Sequence, residues 1–215
     1  GKYPDSFARG ELYNDDPRLG DARLCGTTAS LCGIERFGFE GNQEGVDRAV
    51  RYDITLHAFM LSQSGIPVIY SGDEIGQVND YSYKDDPEKS DDSRYLHRGK
   101  FDWKLAENRH DPATVQGKLF PVLDKLEHIR SSHGIFNSNV PIRTIDTWDT
   151  SVLAFIRENN KEKFIGIYNF SENDKVAWIN EEDGMYTDLI SGREMEARGV
   201  QIPAFGCYWL CRNKQ

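Results

Sequence analysis

Apolar residues recur at helical spacing between residues 46 and 64, at Val46, Val50, Ile54, Leu56, Phe59, Met60 and Leu61, with charge concentrated at the start. This pattern predicts an amphipathic helix that ends before Gly65, a residue suited to a left-handed C-terminal cap. Residues 66–70 then form a short, apolar, β-rich run, entered through Gly65 and Pro67 and left through Gly72, Asp73 and Glu74. Such a run predicts a strand buried on both faces, with polar residues gathered at its C-terminal end. After a long polar loop, Leu119, Val122, Leu123, Leu126 and Ile129 recur three and four apart among Lys118, Asp124, Lys125, Glu127 and Arg130, which predicts a second helix. Helix, buried strand, long loop and helix in that order make one turn of a β/α barrel, a fold that keeps its chemistry at the C-terminal ends of its strands.

From Thr144 onward the period shortens. Alternating segments at 152–157, 164–168, 176–179, 185–190 and 201–210 are separated by polar, turn-rich stretches. Strands at this spacing predict a compact antiparallel sheet or sandwich. The boundary is expected near residues 136–140, where Gly, Asn and Ser gather, dividing the chain into 1–136 and 137–215. Within the second part, Trp178 and Trp209 lie in alternating strands and are expected to point inward. An all-β module with surface aromatics is the other reading, a carbohydrate-binding domain without catalysis.

Composition narrows the partners. Of 215 residues, 38% are hydrophobic and 28% charged, which fits a globular chain with a well-solvated surface. A formal net charge of −9 argues against nucleic acid and anionic membranes and suits a neutral sugar. No apolar run approaches the roughly 20 residues of a membrane span. Cys25, Cys32, Cys207 and Cys211 show no metal-type spacing along the chain and are expected to be buried free thiols in a reducing, cytoplasmic compartment. Neither a metal nor a cofactor is expected.

Four motifs, in order, carry a resemblance. They are Ser6-Phe7-Ala8-Arg9-Gly10; Gly20-Asp21-Ala22-Arg23 with Gly26-Thr27; Gly65-Ile66-Pro67-Val68-Ile69-Tyr70-Ser71-Gly72-Asp73-Glu74-Ile75-Gly76; and Lys89-Ser90-Asp91-Asp92-Ser93-Arg94 with His97-Arg98. The third looks like the eighth-strand signature of the α-amylase superfamily, glycoside hydrolase family 13, and the others are similar to amylosucrases. The resemblance spans residues 2 to about 131 and continues more weakly to the C-terminus. It departs at Tyr95, where a Trp is common, and over residues 34–44, which are rich in Gly and Phe.

The resemblance implies an α/β portion followed by an all-β portion: the last β/α unit of a TIM-type (β/α)8 barrel and a C-terminal antiparallel β-domain. It implies retaining cleavage of sucrose through a covalent glucosyl-enzyme, with transfer to an α-glucan or to water. Sucrose hydrolases, isomerases and α-glucosidases share the scaffold. Retaining chemistry needs two carboxyl groups about 5–5.5 Å apart across one glycosidic bond. No pair in this chain is assigned to it, so no catalytic residue is expected here. The chain reads as the C-terminal third of an enzyme, inactive alone, whose partner is the N-terminal barrel portion of the same polypeptide.

By the same resemblance, Arg94 closes the far end of the glucose pocket through an ion pair with an Asp from an early barrel loop. The alternative is an Arg paired with Asp91 or Asp92. Arg23 matches a position lining the acceptor side of the cleft, the alternative being a loop Arg paired with Asp16 or Asp21. Asp73 and Glu74 are expected to shape the turn and the pocket base rather than react, since adjacent residues of an extended segment point to opposite sides. Asp91, Asp92 and His97 belong to the same pocket scaffold. His57 is expected to be a packed core histidine, while Tyr95 and Trp103 are candidates for stacking on a pyranose ring.

Overall fold

The computed structural model describes residues 5–214 apart from residues 17, 19, 181 and 182. Contacts divide the chain into two compact units that do not follow chain order. One comprises residues 1–53 and 69–121, the other residues 54–68 and 122–215. No helix among the described residues is long and apolar enough to cross a membrane.

The first unit opens on an antiparallel hairpin, β1 (Glu11–Asp16) and β2 (Asp21–Cys25), in a segment where no strand was expected. Two short helices follow, α1 (Thr28–Cys32) and α2 (Ile34–Phe39), joined through Gly33. Gly33 has φ 102°, and a Cβ there would stand 3.1 Å from both Phe7 and Phe37, so the turn favours glycine twice over. The expected first helix is α3 (Gln43–Ser62); of the residues whose spacing predicted it, Val46, Val50 and Leu61 are buried and Ile54, Leu56, Phe59 and Met60 are half-buried, while Ala49 and Ala58 are buried as well. His57 is buried too. A long loop built on single 3-10 turns leads through the short α4 (Trp103–Ala106) to the expected second helix, α5 (Val115–Ser132).

Residues 66–70 differ from expectation. They form no strand, and Ile66, Val68 and Tyr70 are 92%, 77% and 48% exposed. A strand buried on both faces needs hydrogen-bonded neighbours on both edges, and no strand among the described residues pairs with this run. Without such neighbours its alternate side chains stay in solvent.

The second unit is dominated by a six-stranded antiparallel sheet in the order β3-β4-β5-β10-β7-β8, with β6 and β9 forming a separate pair. Its strands are β3 (Ile142–Ile145), β4 (Val152–Glu158), β5 (Glu162–Asn169), β6 (Lys175–Trp178), β7 (Met185–Asp188), β8 (Glu194–Glu196), β9 (Arg198–Ile202) and β10 (Cys207–Asn213). The expected last strand over 201–210 is thus two strands, broken at Phe205, which has φ 51°. Register sorts the side chains of the central strands. Val152, Ala154, Ile156, Ile165, Ile167 and Leu210 share one face and pack with Ala177, Ile179, Val200 and Ile202 of the β6–β9 layer.

The opposite face carries Phe155, Arg157, Phe164, Tyr168 and Trp209. Its rings interlock with Phe59 and Phe136 at centroid distances of 5.4 Å for Phe59 to Tyr168, 4.9 Å for Phe136 to Phe164 and 5.0 Å for Phe136 to Trp209. Gly166 is required there, because a Cβ would lie 2.7 Å from the Tyr168 hydroxyl. Trp209 is buried as expected, but Trp178 is 52% exposed. Plain alternation along β6 explains the difference: Ala177 and the following Ile179 are fully buried, so Trp178 between them falls on the outer face with Val176.

Arg157 is fully buried in this aromatic face. Its guanidinium donates to the carbonyls of Ser62 at 2.8 Å, Asn137 at 2.7 Å and Val140 at 3.1 Å. Burial, with Arg130 nearby, pushes its pKa down to about 10. We expect Arg157→Ala to cost about 3 kcal/mol or more in urea unfolding, because three carbonyls lose a charged donor. A loss below about 1 kcal/mol would mean that water replaces it.

Candidate functional site

The first unit gathers the singled-out residues in the loop between residues 71 and 102. At its start, Gly72 and Gly76 adopt φ values of 103° and 60°, bending the chain sharply around Asp73–Ile75. The Asp73 carboxylate accepts from the Tyr70 N–H at 3.3 Å and the Glu74 carboxylate from the Gly72 N–H at 2.9 Å. Both acids therefore turn back onto the backbone that precedes them. Gln116 donates to the Ile75 carbonyl at 2.9 Å and ties α5 to this turn.

Gln77 closes the far end of the loop. Its side chain donates to the Lys100 carbonyl and accepts from the Asp102 N–H, each at 3.0 Å.

Asn79 is the centre of the unit. It is 7% exposed, and its carboxamide accepts from the Thr27 N–H at 2.9 Å and donates to the Arg9 carbonyl at 3.1 Å. Its own N–H donates to the Ser30 hydroxyl at 2.9 Å, and that hydroxyl donates onward to Glu35. Tyr81 donates to the other Glu35 oxygen at 2.7 Å. The motif ends Arg9-Gly10 and Gly26-Thr27 are thereby held on the loop that follows residues 66–70. Asn79, Glu35 and Tyr81 were not singled out from the sequence, where a lone Asn in a polar loop carries no distinguishing pattern.

The hairpin is fastened to the second half of the loop. Ser93 donates to the Leu12 carbonyl at 3.1 Å, and Glu11 takes both the Tyr83 hydroxyl and the Lys84 ammonium. Burial and the Glu11 carboxylate push Tyr83 up to about 12. Asp92 caps the turn Ser93–His97 by accepting from the Arg94 N–H, and it accepts Nε and Nη2 of Arg94 at 2.8 and 2.7 Å. The Arg94 fork is therefore engaged within this chain, with the guanidinium 4.8 Å from the centre of the Tyr13 ring. Tyr13 lies opposite Arg23 in the hairpin, so the two side chains share a face. The structure thus brings Arg23 and Arg94, 71 residues apart in number, to the same tyrosine.

Arg23 is exposed, and Asp16 pairs with Arg18 instead. The side chain of Asp21 lies outside the described residues. Asp91 is exposed. His97 is half-buried, edge-on to Tyr70 at 5.9 Å, with its Nδ1 buried and lacking a hydrogen-bond partner. Desolvation, then the charge of Arg98, lowers its pKa and keeps the ring neutral near pH 7. Trp103 is 77% exposed and packs against Phe101 at 4.7 Å. Chemically, the cluster offers two guanidinium groups, exposed aromatic edges and hydroxyls. These groups can grip a polar ligand, while the acids are committed to the turns they hold.

No protein-family model matches the chain. A glucosylglycerate phosphorylase from Escherichia coli is 30% identical over 166 residues, which are 76% of this chain and 28% of that enzyme. Among solved structures, an AmyP variant in complex with maltotriose superposes with a TM-score of 0.61 at 16% identity, over 76% of this chain and 35% of its own. A pullulanase from Anoxybacillus complexed with maltotetraose gives 0.59 at 18% identity, over 83% and 26%. The chain thus spans about a third or less of the length of each. The likeness to these solved structures shows a partial α-amylase-type fold with an antiparallel sheet region.

Asn79→Ala should destabilise the protein by about 2 kcal/mol and speed exchange of the Thr27 amide, whose part-buried N–H loses its acceptor. Unchanged exchange at Thr27 would show that another group takes over. Arg94, foremost through its side-chain hydrogen bonds, holds Asp92 down to about 2, against an ordinary 3.8. Because the folded pKa is depressed, the pair's stabilisation is present above the unfolded pKa and is lost as pH falls through about 2. Carboxyl NMR of Arg94→Ala should show the Asp92 titration moving up from about 2 toward its ordinary 3.8, while the backbone N–H at position 94 keeps part of the shift. A value still near 2 would assign the shift to the turn instead.

Proposed function

We propose that this chain is the C-terminal portion of a retaining, glucosyl-transferring enzyme of the α-amylase superfamily, which passes a glucosyl unit from a small glucoside to inorganic phosphate. The observation that carries this reading is the 30% identity over 166 residues to an enzyme named for phosphorolysis of glucosylglycerate. In this reading the reacting carboxylates sit on barrel strands outside this chain, and the loop cluster supplies walls of the site. In the whole enzyme of this reading, residues 66–70 become the last barrel strand once their exposed apolar side chains meet the preceding part of the barrel. Arg23 and Arg94, gathered at Tyr13, suit the contact with phosphate or sugar hydroxyls that such an acceptor site needs. The four unpaired cysteines fit a cytoplasmic setting.

A second reading is favoured by the motifs around Arg23 and Arg94. It is an amylosucrase-like enzyme that cleaves sucrose and extends an α-glucan. The two readings share the covalent glucosyl-enzyme and differ in what receives the sugar. Neighbours crystallised with maltotriose and maltotetraose support a carbohydrate ligand in either case.

The deciding assay offers glucosylglycerate and sucrose separately to the whole enzyme, with and without phosphate. Phosphate-dependent release of glucose 1-phosphate is expected. Glucan growth from sucrose without phosphate would favour the second reading, and free glucose alone would overturn both. In the same enzyme, Arg94→Ala should lower kcat/KM for the donor by about tenfold or more, the equivalent of one charge-assisted hydrogen bond. Unchanged kinetics would remove Arg94 from the site.

A further inference from the structure

In the second unit, away from the loop cluster, His133, Glu162 and Cys211 converge from three parts of the chain. One nitrogen, one carboxylate oxygen and one sulfur lie within 4.8 Å of one another. The sheet's register explains the approach. Across β5 and β10, Glu162 stands opposite Asn213 and Phe164 opposite Cys211, so Glu162 and Cys211 are diagonal neighbours on one face. His133, the residue before the turn Gly134–Phe136, reaches the same face, and its Nδ1 is 2.6 Å from Glu162 Oε1. The Phe136 ring stands edge-on to the imidazole at 6.5 Å. Burial is graded: Cys211 is 6% exposed, and the side chains of Glu162 and His133 are 14% and 28% exposed. The cluster is thus closed on the sulfur side and open on the imidazole side.

We propose that His133, Glu162 and Cys211 form a site for one divalent transition-metal ion of the Zn2+ class, with a water in the fourth position. One imidazole, one carboxylate and one thiolate are the ligand types of tetrahedral zinc, whereas the sulfur disfavours Mg2+ and Ca2+. With bonds of about 2.0–2.3 Å, tetrahedral ligands stand about 3.3–3.8 Å apart. The observed span therefore closes by about 1 Å, while the imidazole–carboxylate hydrogen bond opens to admit the ion. Charge balances as well, since a carboxylate and a thiolate neutralise a divalent cation in a half-buried place. A cysteine binds such an ion as the thiolate. On binding, the metal–sulfur bond replaces the S–H bond and that proton leaves to solvent, so affinity rises with pH. Along the chain the four cysteines show no such grouping. The fold alone supplies it.

Titration of the reduced, chelator-treated protein with Co2+ tests the site. A sulfur-to-cobalt charge-transfer band saturating at one equivalent, and displaced by Zn2+, is expected. Cys211→Ser should abolish the band, and Cys25→Ser should retain it. His133→Gln, at a part-exposed position with little risk to folding, should weaken Co2+ binding by about tenfold or more. A band that survives Cys211→Ser, an affinity unmoved by His133→Gln, or no band in protein whose near-UV circular dichroism is intact would each overturn the proposal. The cluster would then be an ion pair beside a buried thiol.

Discussion

The Asn79 carboxamide is the constraint on which the first unit depends. This unit has one two-stranded hairpin and few long elements, so backbone ladders cannot hold it together. A single buried side chain instead joins the backbone at Arg9 and Thr27 to the Ser30–Glu35–Tyr81 chain of hydroxyls and carboxylate. Asn79 and Ser30 are buried, and leaving a buried polar group unpaired costs more than pairing it gains. That asymmetry gives a loop-rich unit a defined geometry, and it brings Arg23 and Arg94 to Tyr13.

The second unit solves the same problem by other means. Both faces of its six-stranded sheet are covered, one by aliphatic residues from the β6–β9 layer and one by interlocked rings. The aromatic face also contains polar atoms that bond to one another: Trp209 donates to the Tyr168 hydroxyl at 3.0 Å, and that hydroxyl donates to Ser62 at 2.6 Å. Arg157 supplies donors to three carbonyls where a purely apolar residue would leave them bare. The face thus combines dense packing with directional bonds, and such networks narrow the number of ways a core can settle.

Function follows the division of labour. Loops positioned by buried polar nodes present guanidinium groups and aromatic edges, while the acids Asp73, Glu74 and Asp92 hold turns. The arginine hydrogen-bonded to Asp92 stabilises the charged form of that acid, which makes it a poor proton carrier. The groups that this unit leaves exposed are therefore suited to binding a polar ligand.

Local periodicity was sufficient for α3, α5 and the central strands of the sheet, because it reports which face of an element is apolar and that face is where burial occurs. It was also sufficient for the fates of His57 and Trp209, both buried. Periodicity is silent about which segments pair. The run 66–70 has the composition of an interior strand, yet it is exposed for want of hydrogen-bonded neighbours. Trp178 faces outward because its strand buries the alternate residues, Ala177 and then Ile179, against the sheet. The β1–β2 hairpin, the Asn79 node, the capture of Arg94 by Asp92, and the meeting of His133, Glu162 and Cys211 all join residues whose side chains carry no local periodic signal. The amino-acid sequence by itself determined which elements form and which faces they bury. Tertiary structure alone decided who meets whom, because hydrogen bonds and ion pairs act over a few ångströms in space whatever the distance along the chain.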